Sequence, residues 1–553
     1  MQIKSQHNNY FAIIIAFFLV ILSCDKNDDE ILGSDPNPEA ENNEYSVGFE
    51  NSIYASIQDA VDNVPEGSTI ELAPIVFKES ININKKIYIK GTFNGKDSTT
   101  LKPPENNAKA TTLNENGDQV IIGINIDPYI VTEELDISVV SNIIIEEFDI
   151  GLIIKADNHY PVQFSSIIFR YCRMSAFNAM ANYINVSNCE FTFNQGTLIS
   201  IGGYSDNPSP IANAIQINVE DCILKSNSYG WNAISLRGND IYVSNISAVK
   251  CSFYDILFNL EGNSTISHSS IISCNKAYGV SLISWNFYNS DNRYDSILIK
   301  NTNIINNNHV IMFLGDLNLP PRYTGKVIFD GCKISGNNSN DGLMTLSACS
   351  LFVRDCDIIG NDLDPNIVNT DYNHIGLFIY NAKYAEFSNT IIAGNGNHGF
   401  QFWEAVDPTI SVHYVIRNCT IAYNIDPSDN SNTYYWPRFG FSLFPFASLL
   451  YYKMVDISNT VFAFNTFGIT GKLWSLNADC NNSYGNGRFE NGEWVSYDWH
   501  GECENIGPGL ECPHEGLFYS LNPDFNNPDQ FDFNIGADSP LNSVACGQIG
   551  AIR

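Results

Sequence analysis

Hydrophobic and polar positions alternate in short bursts through the centre of the chain, and each burst repeats one template. Val186-Ser187-Asn188-Cys189-Glu190-Phe191-Thr192-Phe193-Asn194 and Val353-Arg354-Asp355-Cys356-Asp357-Ile358-Ile359-Gly360-Asn361 both carry it. An apolar residue leads into a polar pair, then Cys or Thr, then an apolar stretch of period 2 that ends in Asn. The Cys/Ser/Thr position recurs at Cys172, Cys189, Cys222, Cys251, Ser270, Thr302, Cys332, Cys356, Thr390, Cys419 and Thr460. An Asn follows five residues later at Asn194, Asn227, Asn275, Asn307, Asn337, Asn361, Asn395, Asn424 and Asn465. Only Cys172 and Cys251 lack it. Period-2 alternation rich in Ile, Val and Phe, bounded by Asn and Gly, predicts short strands and excludes helical hairpins.

The copies lie 17 to 41 residues apart, unlike the fixed periods of helical arrays, leucine-rich repeats or propeller blades. Constant strands joined by variable turns predict an all-β fold, a single-stranded right-handed parallel β-helix. Coils about 4.8 Å apart would stack equivalent residues into ladders, with turn Asn side chains hydrogen-bonding along the axis. Cys172, Cys189, Cys222, Cys251, Cys332, Cys356 and Cys419 then read as buried packing residues. Their parallel Cβ vectors suit no disulfide. Near the start, Ile57, Ala60, Val61 and Val64 follow helical spacing, Pro65 ends the run, and Ser56 with Asp59 forms a capping-box-like start. One short helix there would cover the otherwise open first coil.

Strands at Thr69–Leu72, Ile81–Ile83 and Ile87–Ile89, with a turn at Gly91, complete an opening from Tyr54 to Gly91. It resembles the opening of pectin-methylesterase-like and related β-helix proteins. The tail, with Asn522-Pro523-Asp524-Phe525, Asp532-Phe533, Ser539-Pro540 and Ile549-Gly550-Ala551, resembles the closing segment of many secreted bacterial β-helix proteins. The resemblance is to the pectin-lyase-like fold and spans roughly Tyr54 to Arg553. It implies a fold and almost nothing about chemistry.

The first residues read as an address. Lys4 is followed by an apolar run from Phe11 to Leu22, too short for a membrane span of about 20 residues. It ends in Ile21-Leu22-Ser23-Cys24, which resembles the lipobox of bacterial lipoproteins, where the Cys thiol takes the lipid. The acidic stretch Asp25-Lys26-Asn27-Asp28-Asp29-Glu30 resembles the surface-export signal of Bacteroidetes lipoproteins. The expected organisation is therefore a signal peptide over 1–23 and a disordered acidic tether over 24–46. The β-helix follows over 47–471, with a Cys-containing closing region over 472–553. The expected location is the outer membrane, lipid-anchored and facing outward, with the lipid as its sole membrane contact.

Charge narrows the partners. With 29 Lys and Arg against 61 Asp and Glu, and a formal charge of −32, a nucleic-acid partner is excluded, because phosphate neutralisation needs clustered cations. A polyanionic glycan is disfavoured too, although screening over about 8 Å lets a local site outweigh the net charge.

Four cysteines lie outside the repeat. Cys480, Cys503, Cys512 and Cys546 suit disulfides in an extracellular protein and allow three pairings. His500, Cys503, Cys512 and His514 form an alternative metal set of non-standard spacing. His398, in Gly396-Asn397-His398-Gly399, resembles the Gly-His-Gly of polygalacturonases. It lacks that motif's first Gly and accompanying carboxylates, and reads as a turn histidine.

Function in such a solenoid belongs to long turns beside a flat strand face. Candidate turns are 202–213, 286–295, 315–326, 362–374, 403–413 and 425–453. The last carries Tyr434, Tyr435, Trp436, Arg438, Phe439, Phe441, Tyr451 and Tyr452. Aromatic faces suit the apolar faces of sugar rings, or they pack the loop onto the coil. Trp403, Glu404, Tyr435, Trp436 and Arg438 are the candidate carbohydrate-binding residues, with Asp407 and His413 nearby in sequence. No catalytic set stands out. A β-eliminating lyase needs a Lys or Arg base and a neutraliser such as Ca²⁺ held by carboxylates, and a hydrolase needs two carboxylates at a set separation. The expectation is a surface module binding extracellular polysaccharide. The alternatives are a polysaccharide lyase or hydrolase and a protein-binding adhesin.

Overall fold

The computed structural model describes residues 45–94, 97–105, 111–113, 119–131, 138–158, 160–202, 214–228, 230–276, 281–286, 296–307, 312–314, 325–337, 345–347, 350–361, 375–380, 384–395, 398–404, 412–424, 441–445, 453–465, 469–471, 475–490, 493–496, 518–530, 532–547 and 549–551. Cys24 and residues 25–44 of the expected tether lie outside them, whereas Tyr45 and Ser46, expected in the tether, form a strand with Val47. Among the described residues, no helix is long and apolar enough to cross a membrane.

One coil shows how the repeat works. Lys326–Asp330, Lys333–Ser335 and Thr345–Ser347 are three successive strands, and Ser350–Arg354 returns to pair in parallel with the first, Lys326 beside Ser350. The second strand likewise pairs Lys333 with Asp357 of the next coil, and the third pairs Thr345 with Phe378. Repeating this step builds three parallel sheets around one core, a parallel β-helix as predicted. The first sheet runs from Tyr45–Val47 to Ser475–Asp479. The second runs from Val76–Lys78 to Phe518–Tyr519, and the third from Ile81–Ile83 to Ile469–Gly471. The first and second ladders run on past residue 471 into the region expected to close the β-helix.

Alternation fills the core. In the first sheet, Val327, Phe329, Leu351, Val353, Ala385, Phe387, Tyr414 and Ile416 point inward and are buried. In the second sheet only the middle residue of each three-residue strand does so, as in Leu224, Ala248, Ile271, Ile304 and Ile334. The helix Ile57–Asn63 caps the start with Ile57, Ala60 and Val61 buried, and Ser56 Oγ accepts the Asp59 N–H at 3.0 Å. The Glu79 carboxylate accepts the N–H groups of Ile57 and Gln58 at 2.9 and 3.1 Å, filling donors that the helix cannot satisfy itself.

Two tight corners per coil hold the template residues. At the first corner, between the first and second sheets, Asn188, Asp221, Asn245, Asn301, Asp355, Asn389, Asn418 and Asn459 have positive φ. Asn and Asp tolerate this left-handed backbone better than other side-chain-bearing residues. The next residue turns inward, giving a file of Cys189, Cys222, Ile246, Ser269, Thr302, Cys332, Cys356, Thr390, Cys419 and Thr460. At the second corner, the file is Cys172, Asn194, Asn227, Cys251, Cys274, Asn307, Asn337, Asn361, Asn395, Asn424, Asn465 and Asn486.

This corrects the sequence alignment of the coils. Cys172 and Cys251 belong to the Asn file, not the Cys/Thr file: the Cys172 N–H donates to Asn194 Oδ1 at 2.9 Å, and Asn227 Nδ2 reaches Cys251 Sγ at 3.8 Å. Ser269, not Ser270, holds the first corner and accepts the Ile246 N–H. Cys274, not Asn275, follows it at the second, donating its N–H to Asn307 Oδ1 at 2.9 Å. Apart from Ile246, both files hold small buried side chains with a polar or sulfur atom, so a thiol fits either one. Where the second corner keeps Asn without interruption, the amides form a continuous ladder. From Asn307 to Asn486, each Nδ2 donates to the next Oδ1 at 2.9 to 3.0 Å.

Of the three pairings open to the outlying cysteines, the structure contains Cys480–Cys546. Cys503, Cys512, His500 and His514 lie outside the described residues.

Candidate functional site

Among the described residues, the outward face of the first sheet carries a connected set of polar and aromatic side chains. Its parts follow from the register. Counting back from the first-corner residue, the fourth position gives Phe352, Glu386, Val415 and Asp456 in successive coils. The second gives Arg354, Ser388, Arg417 and Ser458, and the sixth gives Ser350, Tyr384, His413 and Met454. Even positions point out and odd ones in, so stacking alone gathers residues that are far apart in sequence.

Glu386 sits at the centre, only 6% exposed. Its Oε1 accepts from Arg417 Nη2 at 2.6 Å and faces Arg354 Nη2 at 3.8 Å, and its Oε2 accepts from the Tyr384 hydroxyl at 3.0 Å. A carboxylate so removed from water needs such partners. The two guanidinium groups remain about half exposed, so each keeps donors directed at solvent. Arg354 lies over the Phe352 ring at 5.1 Å, a cation–π contact. Phe352 packs on Tyr384 at 5.3 Å, and Tyr384 meets the His413 ring edge-on at 5.6 Å. His413 Nε2 is 2.7 Å from Asp456 Oδ2. The chain of contacts crosses four coils, about 15 Å along the axis.

Burial first, then the adjoining Glu386 carboxylate, pushes the Tyr384 phenol above its ordinary 10.0, so the hydroxyl stays protonated and donating at neutral pH. Glu386 has both oxygens engaged, which suits it to hold Tyr384 and the arginines in place. With two carboxylates against two guanidinium groups, the face combines ring surface with donors and acceptors and no strong net charge. Such a face can hold a hydroxyl-rich ligand. Among the described residues, no group of three or more His, Cys, Asp and Glu side chains could hold a metal ion.

Trp403 and Glu404 end the third-sheet strand His398–Glu404, Trp403 beside Tyr380 and Phe444, and Glu404 beside Pro445. His398 opens that strand opposite Ile375 rather than occupying a turn. Tyr435, Trp436 and Arg438, with Asp407, lie outside the described residues. Among the described residues, His413 is the polar group noted from sequence that joins the cluster. Arg354, Tyr384, Glu386 and Arg417 were missed, yet aligning the coils on Cys356, Thr390, Cys419 and Thr460 would have placed them together.

No family model matches the sequence, and comparison with curated proteins gives no match. Among solved structures the chain is similar to the A-module of the mannuronan C-5 epimerase of Azotobacter vinelandii. Identity is 8%, the match covers 77% of this chain and 92% of that one, and the TM-score is 0.33. At that level of likeness the chemistry of this chain rests on its own residues.

Proposed function

We propose that this chain is a lipid-anchored surface protein that binds extracellular polysaccharide along the outward face of its first sheet. The observation carrying the reading is the Glu386 cluster, where two half-exposed guanidinium groups, a protonated phenol and aromatic rings share one flat strand face. Sugars present an apolar ring face and a rim of hydroxyls, and this surface offers a partner to each. The anchor is Cys24, at the end of the lipobox-like Ile21-Leu22-Ser23-Cys24. Cys24→Ser should shift the protein from membrane to soluble fractions, and unchanged fractionation would remove the anchor from the reading.

The test of binding uses the mature chain on a panel of soluble polysaccharides in affinity electrophoresis. Arg417→Ala should weaken retention about 10- to 100-fold, the worth of one charge-assisted hydrogen bond, while the circular dichroism spectrum is kept. Unaltered retention in that variant rules the face out. The same panel, with and without Ca²⁺, is followed for unsaturated products and new reducing ends. Turnover of any glycan would replace binding by catalysis.

A further inference from the structure

The second corner bears a feature that the first-sheet cluster does not use. Its left-handed residue is small or polar in most coils, as at Ser226, Ser273, Asn306, Gly336, Gly360 and Gly394. In two places it is a pair of aromatics: Tyr171 with Phe193, and Tyr423 with Phe464. A bulky side chain in this backbone region costs roughly 1–2 kcal/mol, so four such residues are a departure that asks for a return.

For Tyr423 and Phe464 the return is visible. The C-terminal tail lays Phe533 against Tyr423 at 5.6 Å and Phe525 against Phe464 at 6.4 Å. The surrounding outward residues of the second sheet are apolar or small: Ile391, Ala393, Ala422, Val461 and Ala463. Among the described residues nothing covers Tyr171 and Phe193 in this way, and they are 49% and 47% exposed. Their rings are parallel within 9° with centroids 5.6 Å apart. That spacing exceeds face-to-face contact of about 3.5–4 Å, so the rings are offset and each shows part of a face.

The surroundings also differ from those beneath the tail. Arg170, directly before Tyr171, pairs with Glu146 at 2.8 Å. Arg173 pairs with Asp149 at 2.7 Å, and Thr192, directly before Phe193, donates to Glu190 at 2.7 Å. A site for an apolar peptide would repeat the apolar surround seen under the tail. This one sets the two rings beside ion-paired and hydrogen-bonded side chains, with Met174 and Ile223 the exposed apolar residues next to them. We infer that Tyr171 and Phe193 form a second glycan-binding site, a platform for successive pyranose rings of a neutral polysaccharide running along the coil axis.

Because the pair is strained where it sits, binding and stability should move apart on substitution. Tyr171→Asn with Phe193→Asn installs the residue type that Asn306 supplies at this corner. The double variant should melt at the same temperature as the parent or higher. Its retention by barley β-glucan, xylan and glucomannan, measured in an Arg417→Ala background, should fall at least tenfold. Overturning results are absence of retention by all three glycans in that background, unchanged retention after the double substitution, or a clear fall in melting temperature that makes the pair structural. Capture of an apolar peptide in place of the glycans would also overturn it. If Arg417→Ala alone abolishes retention, the first-sheet reading stands and this one falls; if only the double substitution does, the reverse holds.

Discussion

The side-chain amide of Asn361 is saturated from both sides. Its Nδ2 donates to Asn395 Oδ1 at 2.9 Å and to the Ile334 carbonyl at 3.1 Å, and its Oδ1 accepts from the backbone N–H and the Nδ2 of Asn337, both at 3.0 Å. Asn361→Ala takes a bond from four neighbouring groups; Asn395 Oδ1 and Asn337 Nδ2 each keep another partner, while the Ile334 carbonyl and the Asn337 N–H lose theirs in a buried corner, at about 1–3 kcal/mol each. A loss of roughly 2–6 kcal/mol in denaturant unfolding is expected, and a loss below 1 kcal/mol would show the ladder to be dispensable. Cys172 occupies the same file one corner before the amides begin. Burial, and then the carboxylates of Asp149 and Glu146, push its thiol from an ordinary 9.0 up to about 12. A raised value means that the folded state holds the proton. Its contribution to stability is complete below pH 9.0 and is lost as pH rises through about 12. At pH 8 the native protein should leave Cys172 unalkylated by iodoacetamide, and unfolding should expose it; mass-spectrometric detection of its adduct on native protein would contradict the burial. The Asn positions were legible because only Asn carries a donor and an acceptor at that reach. Cys172 and Cys251 were misfiled because a thiol leaves no comparable signature of its corner.

The tail shows what a single element can and cannot announce. Phe525, Phe533, Ile535, Leu541, Ile549 and Ala551 cover the second sheet over its last coils. The Gly550 and Ala551 N–H groups donate to the Asn459 carbonyl at 2.8 Å and Thr420 Oγ1 at 3.1 Å. The cover was legible in principle: Ile391-Ile392-Ala393, Thr420-Ile421-Ala422 and Val461-Phe462-Ala463 are buried on both faces. Earlier second-sheet strands such as Lys333-Ile334-Ser335 alternate with an exposed position. A strand lacking its polar positions implies a second layer. The pairing Cys480–Cys546 was not legible, since four cysteines in a Gly- and Asn-rich region carry no geometry until the tail is placed. Closing a separation of 66 residues contributes about 4 kcal/mol in the chain-entropy description. Replacing both cysteines by Ser should therefore make the tail the first segment cut in limited proteolysis, with the coil still resistant. Simultaneous cleavage throughout would mean that tail and coil do not open separately.

At the scale of the whole molecule, the proposed binding face and the fold have one cause. Glu386 meets Arg354 and Arg417, which lie 32 and 31 residues from it in sequence, because one coil returns each strand beside the last. The loops anticipated as carriers of function join these strands, but the gathering is done by the sheet. Stacked coils behave as nearest-neighbour units, so one can be removed whole. Residues 247–269 are such a unit, since Ser247 pairs with Ser270, and neither proposed binding surface uses them. The most direct measurement is therefore thermal unfolding, followed by far-ultraviolet circular dichroism, of two deletions: 247–269, a full coil, and 247–258, about half of one. The stacked-coil account predicts a cooperative transition and a parent-like β spectrum for the first and loss of both for the second. Unfolding of the full-coil deletion, or indifference to which of the two is made, would contradict it.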